Sequence, residues 1–201
     1  MKFYYIPGAS SLAVHIALIE ADVHFEPIRV DMVTKKLDDG SDFHAINYQG
    51  TVPVLEFDNG ERLTEVAAVL QYIADLSPEK KLAPAGGTFE RSRLHESLSF
   101  IATEIHKSWT QIFNHRTDES SKAILVERLQ HKYGHLDPRL ANGGWVTGGG
   151  YSVADMYLFV TTSWRNFIPI DLPGLGHLDA FIQRMRERPA VQAAMKAEGL
   201  I

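Results

Sequence analysis

The chain has 201 residues, of which 45% are hydrophobic, a formal net charge of −5 and no cysteine. This length allows one large domain or two small ones. The absence of cysteine excludes disulfides, thiolate metal sites and a cysteine nucleophile. The negative charge argues against nucleic acid as the main partner. No apolar run is long enough to span a membrane, and we expect a cytoplasmic protein with no membrane partner.

The first stretch of the chain has the pattern strand, helix, strand. After the apolar run 2–6, Gly8 frees a turn toward Ser10 and Ser11, either of which can cap a helix. Apolar side chains then recur at three-and-four spacing, which predicts that helix. The following segments predict a strand over 25–30, a polar loop over 31–42 and one short helix over 42–47.

A proline between two valines interrupts the next apolar run, at Thr51-Val52-Pro53-Val54. Proline has no N–H to give to a ladder, so it belongs at the start or edge of a strand. If the Val52-Pro53 bond is cis, the Val52 N–H and C=O point outward and can pair with an extended peptide. If the bond is trans, the proline merely opens a strand. The local sequence leaves both readings open.

Turn-forming residues predict a hairpin in the rest of this domain and a linker at its end. Asp58-Asn59-Gly60 predicts a hairpin between 54–57 and 62–63, and a helix is expected over 65–76. Proline and glycine then punctuate residues 77–87, which is typical of a linker. We therefore place two domains at 1–81 and 88–201.

Strand signals fade beyond the linker, and helices are expected over 89–113, 121–140, 152–167 and 176–196. Ser152 precedes Asp155 by three residues at the start of one of them, which is a capping-box arrangement. We interpret Asp155 as a stabilising residue and not as a catalytic one. Pro169 and Pro173 follow the helix that this box begins.

These pieces, in this order, resemble the cytosolic glutathione S-transferase family, and most closely its bacterial beta class. The resemblance extends over nearly the whole chain. It implies a thioredoxin-like α/β domain followed by an all-α domain. The motifs that carry it are Lys2-Phe3-Tyr4-Tyr5 with Pro7-Gly8, Thr51-Val52-Pro53-Val54, Leu63-Thr64-Glu65, Glu104-Ile105-His106-Lys107 and Ser152-Val153-Ala154-Asp155.

The resemblance also implies a binding site for glutathione, which is the co-substrate; no metal is expected. Val52, with Pro53, offers a strand edge to the cysteinyl backbone, and Glu65 takes the γ-glutamyl amine. Glu65 also begins a helix, where its charge is favoured in any case. The family usually has serine or glycine where this chain has Val66, so only the backbone N–H remains there. Lys35 matches a lysine that contacts the glycine end, in a first domain that is acidic overall.

Ser10 is the main departure from the beta class, which has a cysteine at this position. A serine at a helix N-terminus can donate to a thiolate and so favour it. Serine has no adjacent base here, so we do not expect it to act as a nucleophile. Ser11 is the neighbouring candidate, and a plain N-cap is the alternative role for Ser10.

The long helix supplies a second set of donors. His106 and Lys107 match the histidine-lysine pair of the beta class, and a histidine can donate to a thiolate. Ser99 and Thr103 stand where the family's helix reaches the glutathione of the other subunit. A histidine alone on a helix is more often structural, so the assignment of His106 as a thiolate donor depends on the resemblance.

The expected reaction is attack of the glutathione thiolate on a small hydrophobic electrophile, in a homodimer whose interface follows helices 89–113 and 65–76. Trp109, Phe113 and Trp164 are candidates for the electrophile pocket, and core packing is an equally open role for each. Two alternatives remain: a glutathione-dependent disulfide reductase or peroxidase, and a non-catalytic binding protein of the same fold.

Overall fold

The computed structural model describes residues 1–168 and 170–201, so Pro169 lies outside the described residues. The chain divides into two compact units, Met1–Leu82 with Arg188–Ile201, and Ala83–Glu187. The first boundary lies within residues 77–87. The last 14 residues differ from the expectation, because the sequence placed them in the second domain. Within the described residues, no helix is long and apolar enough to cross a membrane.

The first unit is built on a mixed four-stranded sheet with the order β2-β1-β3-β4. Strand β1 pairs in parallel with β2 and antiparallel with β3, which pairs antiparallel with β4. This is the thioredoxin-like α/β arrangement that the sequence predicted. The elements of this unit are β1 (Lys2–Tyr5), α1 (Ser11–Glu20), β2 (Glu26–Arg29), β3 (Val54–Glu56), β4 (Arg62–Thr64), α2 (Val66–Leu76) and α8 (Pro189–Ala197).

Burial explains why these residues form these elements. The first eight residues of α1 are all buried, and α2 buries Val69, Leu70 and Ile73 on one side. A cluster of Tyr4, Ile6, Val30, Phe43 and Val54 forms part of the core. Burial of such side chains is the main term that stabilises a domain of this size.

The register of the sheet brings several loops to one end. Val54 at the start of β3 pairs with both Tyr4 near the end of β1 and Thr64 at the end of β4. Tyr5 at the end of β1 also pairs with Arg29 at the end of β2. The segments that follow β1, β2 and β4, and the one that precedes β3, therefore leave the sheet at the same end.

The second unit is all-helical, as predicted. A short 3-10 turn follows α5 and another follows α6, so both α-helices end before the predicted 140 and 167. The helices are α3 (Phe89–Phe100), α4 (Lys107–Phe113), α5 (Glu119–Leu136), α6 (Val153–Ser163) and α7 (Gly176–Arg186).

The predicted long helix over 89–113 is continuous but not uniform. Its central part, Ile101–His106, is a π-helix that joins α3 to α4. Thr103 and Ser108 each donate a side-chain hydrogen bond to the carbonyl four residues earlier, at 3.0 and 2.6 Å. Such π segments are rare and occur often at functional sites, and the apolar periodicity gave no sign of this one.

The predicted capping box begins α6. The backbone N–H and the hydroxyl of Ser152 donate to Oδ2 of Asp155, at 2.8 and 2.9 Å. Oδ1 of Asp155 accepts from the Val146 N–H at 2.8 Å. Burial raises the pKa of Asp155 to about 6, against the opposing effect of these donors. Asp155 thus ties the Val146 loop to the helix, as a stabilising residue does.

Candidate functional site

The Val52-Pro53 peptide bond is cis, which decides between the two readings of this motif. Within residues 1–168 and 170–201, neither the N–H nor the C=O of Val52 makes a hydrogen bond. The preceding carbonyl, of Thr51, accepts from Asn47 Nδ2 at 2.8 Å. Val52 therefore presents one free backbone donor and acceptor next to the first residues of β3.

Arg62 supports the loop that leads to Val52. Its Nη1 donates to the carbonyls of Ala45 and Ile46, at 3.2 and 2.9 Å. Its Nε donates to Glu56 at 2.7 Å, an ion pair across the β3-β4 hairpin. A side chain of the sheet thus holds the loop that precedes Val52, a support that the sequence did not reveal.

Glu65 has a backbone conformation that a residue other than glycine rarely adopts, with φ of 68°. Such a conformation is strained, and it occurs preferentially at functional sites. The Glu65 carbonyl accepts from the N–H groups of Ala68 and Val69 and so begins α2. Its exposed carboxylate has no hydrogen-bond or ion-pair partner among the described residues. Val66, the next residue, is buried, which leaves its side chain no part in a surface site.

Ser10 and Ser11 have different surroundings. The Ser11 hydroxyl accepts from the Ile6 N–H and donates to the Ile6 carbonyl, both at 3.2 Å, and closes the loop between β1 and α1. Ser10 is the residue before α1 and only 6% exposed, yet its hydroxyl makes no hydrogen bond within the described chain. The expected contact of Ser11 with glutathione gains no support, because its hydroxyl is already engaged. The Ser10 hydroxyl is available.

A buried carboxylate supports the same loop from the far end of the chain. Glu198 accepts from the Gly8 N–H through Oε2 at 2.9 Å. Its Oε1 lies 2.9 Å from His15 Nδ1, and both side chains are almost fully buried. No local sequence pattern indicates this pair, because 183 residues separate the two partners.

Lys35 lies in the loop after β2, in a left-handed conformation with φ of 54°. Its N–H donates to the Asp31 carbonyl and its own carbonyl accepts from Phe43, so the backbone of the loop is well held. The Lys35 ammonium has no partner among the described residues. Lys35 thus supplies positive charge at the end of the sheet that also carries Ser10, Val52 and Glu65.

In the second unit, His106 packs among aromatic rings. Its Nδ1 lies 2.6 Å from the Tyr157 hydroxyl, and its ring is 4.9 Å from that of Trp164. Burial, with the charge of Lys107 as a smaller contribution, lowers the pKa of His106 to about 4. The imidazole is therefore neutral at pH 7. A phenol readily donates to Nδ1, and the proton is then on Nε2, which becomes a donor.

The other predicted residues of this unit divide into exposed and buried groups. Ser99, Thr103 and Lys107 are exposed, and Thr103 Oγ1 donates to the Ser99 carbonyl at 3.0 Å. Trp109 is fully buried and its Nε1 donates to Tyr133 at 3.0 Å, so its role is core packing and not a pocket wall. Trp164 is mostly buried against Phe113, which is 39% exposed. Phe113 and Trp164 remain candidates for the electrophile pocket.

Comparisons with known proteins cover both units. A family model described as the N-terminal domain of glutathione S-transferase matches residues 9–76, and one for the C-terminal domain matches residues 100–189. Among curated proteins, glutathione S-transferase GstA of Escherichia coli O157:H7 is 41% identical over 200 residues, which is 100% of both chains.

Two solved structures are similar over their whole length. A sphingomonad glutathione S-transferase complexed with glutathione is 43% identical, with a TM-score of 0.94 and coverage of 100% of both chains. The bacterial beta class glutathione S-transferase of Sphingomonas chungbukensis is 42% identical, with the same TM-score and coverage.

Proposed function

The chain belongs to the glutathione S-transferase family and is a glutathione transferase, and from this premise we propose that its glutathione site is the end of the sheet where Val52 and Glu65 lie. The observation that carries the proposal is a pair of groups there that have no partner among the described residues: the Val52 backbone, and the carboxylate of Glu65, whose backbone is strained. An extended tripeptide with a free amine needs both a strand edge and an acid. A relative at 43% identity has been solved with glutathione bound.

Each end of glutathione has a partner in this arrangement. The Val52 N–H and C=O pair with the cysteinyl backbone, and Glu65 accepts from the γ-glutamyl ammonium. Lys35 faces the glycine carboxylate. Val66 contributes only its backbone N–H to the γ-glutamyl carboxylate, which predicts weaker binding than a serine there.

Ser10 is proposed to donate its hydroxyl to the glutathione sulfur. The hydroxyl has no other hydrogen bond within the described residues, and it precedes α1, whose N-terminal N–H groups favour an anion. The thiolate then attacks an electrophilic carbon, a C–S bond forms, and a leaving group departs with the bonding electron pair. Thiolate stabilisation by His106, with Lys107, stays a prediction from the resemblance.

Four finer statements belong to the same proposal. The second substrate is a small apolar electrophile that contacts Phe113 and Trp164, whose rings meet edge to face in the second unit. The protein is a cytoplasmic homodimer, with a role in detoxification. The relatives described above are named as transferases, so the disulfide reductase and the non-catalytic binding protein are not favoured.

Retention on immobilised glutathione, followed by conjugation of a generic aryl halide, tests the proposal. The wild-type protein should be retained and active, and Glu65→Gln should be retained poorly because the amine loses its counter-charge. Glu61→Gln is the matched control, since Glu61 is also exposed and precedes β4. Equal retention of the two variants would remove Glu65 from the site. Retention with disulfide reduction but no conjugation would favour the reductase instead.

A further inference from the structure

Two histidines on α5 form a pair that the glutathione chemistry does not use. His131 and His135 are four residues apart, so their side chains lie one above the other on the same helix face. Both are exposed. Their Nε2 atoms lie only 3.1 Å apart, and their rings are nearly perpendicular, at 80°, with centroids 4.5 Å apart.

We propose that His131 and His135 form a surface chelate for a divalent first-row transition metal ion such as Cu²⁺ or Ni²⁺. Imidazole nitrogens bind such ions at about 2.0–2.1 Å. Two nitrogens at that distance, and separated by a right or tetrahedral angle at the metal, lie about 2.8–3.4 Å apart. The observed 3.1 Å falls in this range. The helix therefore holds both ligands at the spacing that an ion requires.

The protonation of the pair is compatible with this role. Without metal, the two Nε2 atoms form a hydrogen bond, in which one Nε2–H is the donor and the other Nε2 is the acceptor. Neither Nδ1 has a hydrogen-bond partner within the described residues. When the ion binds, that proton moves through solvent to the free Nδ1. The two Nε2 lone pairs then face the metal.

The surroundings leave room for the remaining ligands. His135 lines a cavity of about 270 Å³, whose other walls include Glu96, Phe100 and Arg139. Within the described residues, no group of three or more histidine, aspartate or glutamate side chains is placed to hold a metal. The pair thus provides two protein ligands, and water supplies the others. Such a site selects for ions that prefer nitrogen ligands and rejects Mg²⁺ and Ca²⁺.

Calorimetric titration of the untagged protein with Cu²⁺, Ni²⁺ and Mg²⁺ tests the chelate. We expect one site per chain, affinity in the order Cu²⁺ over Ni²⁺, and no heat from Mg²⁺. The double variant His131→Ala/His135→Ala should lose at least roughly tenfold in affinity, because both protein ligands of the ion are gone. The control is His115→Ala/His177→Ala, which removes two exposed histidines elsewhere and should bind as the wild type does.

Paramagnetic resonance of bound Cu²⁺ gives a second readout that does not depend on the size of the affinity change. The wild type and the control variant should show hyperfine coupling to two nitrogens, and the single variant His131→Gln to one fewer. Equal metal binding by the wild type and the His131/His135 double variant would overturn the proposal. So would a Cu²⁺ spectrum that His131→Gln leaves unchanged. Circular dichroism of each variant checks that α5 is intact.

Discussion

At the scale of single residues, the two adjacent serines are expected to separate catalysis from stability. The Ser10 hydroxyl has no partner in the described chain, whereas the Ser11 hydroxyl holds both polar groups of Ile6. A hydrogen bond to a charged group contributes about 1.5–3 kcal/mol. Ser10→Ala should therefore lower kcat/KM about ten- to a hundredfold with little change in stability.

Ser11→Ala should do the opposite, with a loss of about 1–2 kcal/mol in the free energy of unfolding and a smaller loss of turnover. Steady-state kinetics and urea denaturation of both variants measure the two effects. A larger fall in turnover for Ser11→Ala than for Ser10→Ala would move the thiolate donor by one residue and contradict the assignment.

Position 10 can also be tested by restoring the cysteine that the beta class carries. A thiol at a helix N-terminus is acidified and reactive. Ser10→Cys should form a mixed disulfide when it is incubated with oxidised glutathione, and intact mass measurement should show one added glutathione. The wild type contains no cysteine, so it cannot form this disulfide and serves as the control. An unmodified mass for Ser10→Cys would mean that position 10 does not face the sulfur.

At the scale of an element, Asp155 holds the start of α6 and the Val146 loop together. Asp155→Asn replaces one acceptor oxygen with a donor that faces N–H and O–H groups, so we expect a loss of about 1–3 kcal/mol in stability. Asp179→Asn is the control, since Asp179 lies in the first turn of α7 but is exposed. Urea denaturation at pH 7 compares the two variants, and equal stability would contradict the role of Asp155.

Titration of Asp155 adds a pH dependence to this element. Burial raises the pKa of Asp155 in the folded state to about 6, above the ordinary value of 3.8. The protonated form of Asp155 is therefore favoured by folding. The stability that protonated Asp155 contributes is fully present below pH 3.8 and is lost as the pH rises through about 6. The stability advantage of the wild type over Asp155→Asn should grow when denaturation is measured at pH 5 instead of pH 7. A smaller advantage at pH 5 would show that the three donors outweigh burial.

At the scale of the whole molecule, the last residues of the chain are expected to stabilise the first unit. Glu198 is buried with His15 and also holds the Gly8 N–H. A buried polar group that loses its hydrogen-bond partner costs about 1–3 kcal/mol, and Glu198→Ala removes the partner of His15 Nδ1. Glu198→Ala should lower the free energy of unfolding by that amount. The exposed Glu187→Ala is the control, and equal effects would mean that the buried pair contributes no net stability.

Assembly into a dimer is the remaining prediction at this scale. Most apolar residues of α2 and α3 are buried within the chain. Tyr72, Leu76 and Phe89 remain exposed on these helices. We expect sedimentation at micromolar concentration to give twice the single-chain mass of 22.5 kDa, and Tyr72→Glu/Phe89→Glu to shift it toward the monomer. Ile124→Glu, at an exposed apolar residue of α5, is the control. A fully active wild-type species at the single-chain mass would exclude the dimer.

Local sequence patterns by themselves determined the order of the elements, two local motifs and the family of this protein. The period of the apolar residues predicted the order of strands and helices, since each element must bury one face. The Asp58-Asn59-Gly60 turn and the Ser152/Asp155 box were predicted correctly because both depend on residues only two or three positions apart. The motifs around Val52 and Glu65 identified the family for the same reason.

Only the tertiary structure decided the features that join distant parts of the chain. The Glu198 contacts with Gly8 and His15 bridge more than 180 residues, and they place the last segment with the first unit. Hydrogen bonding separated the available Ser10 hydroxyl from the engaged one of Ser11, and burial assigned Trp109 to the core. The strain at Glu65 and the π-helix at Ile101–His106 have no local sequence signal, because both depend on packing that the one-dimensional pattern does not contain.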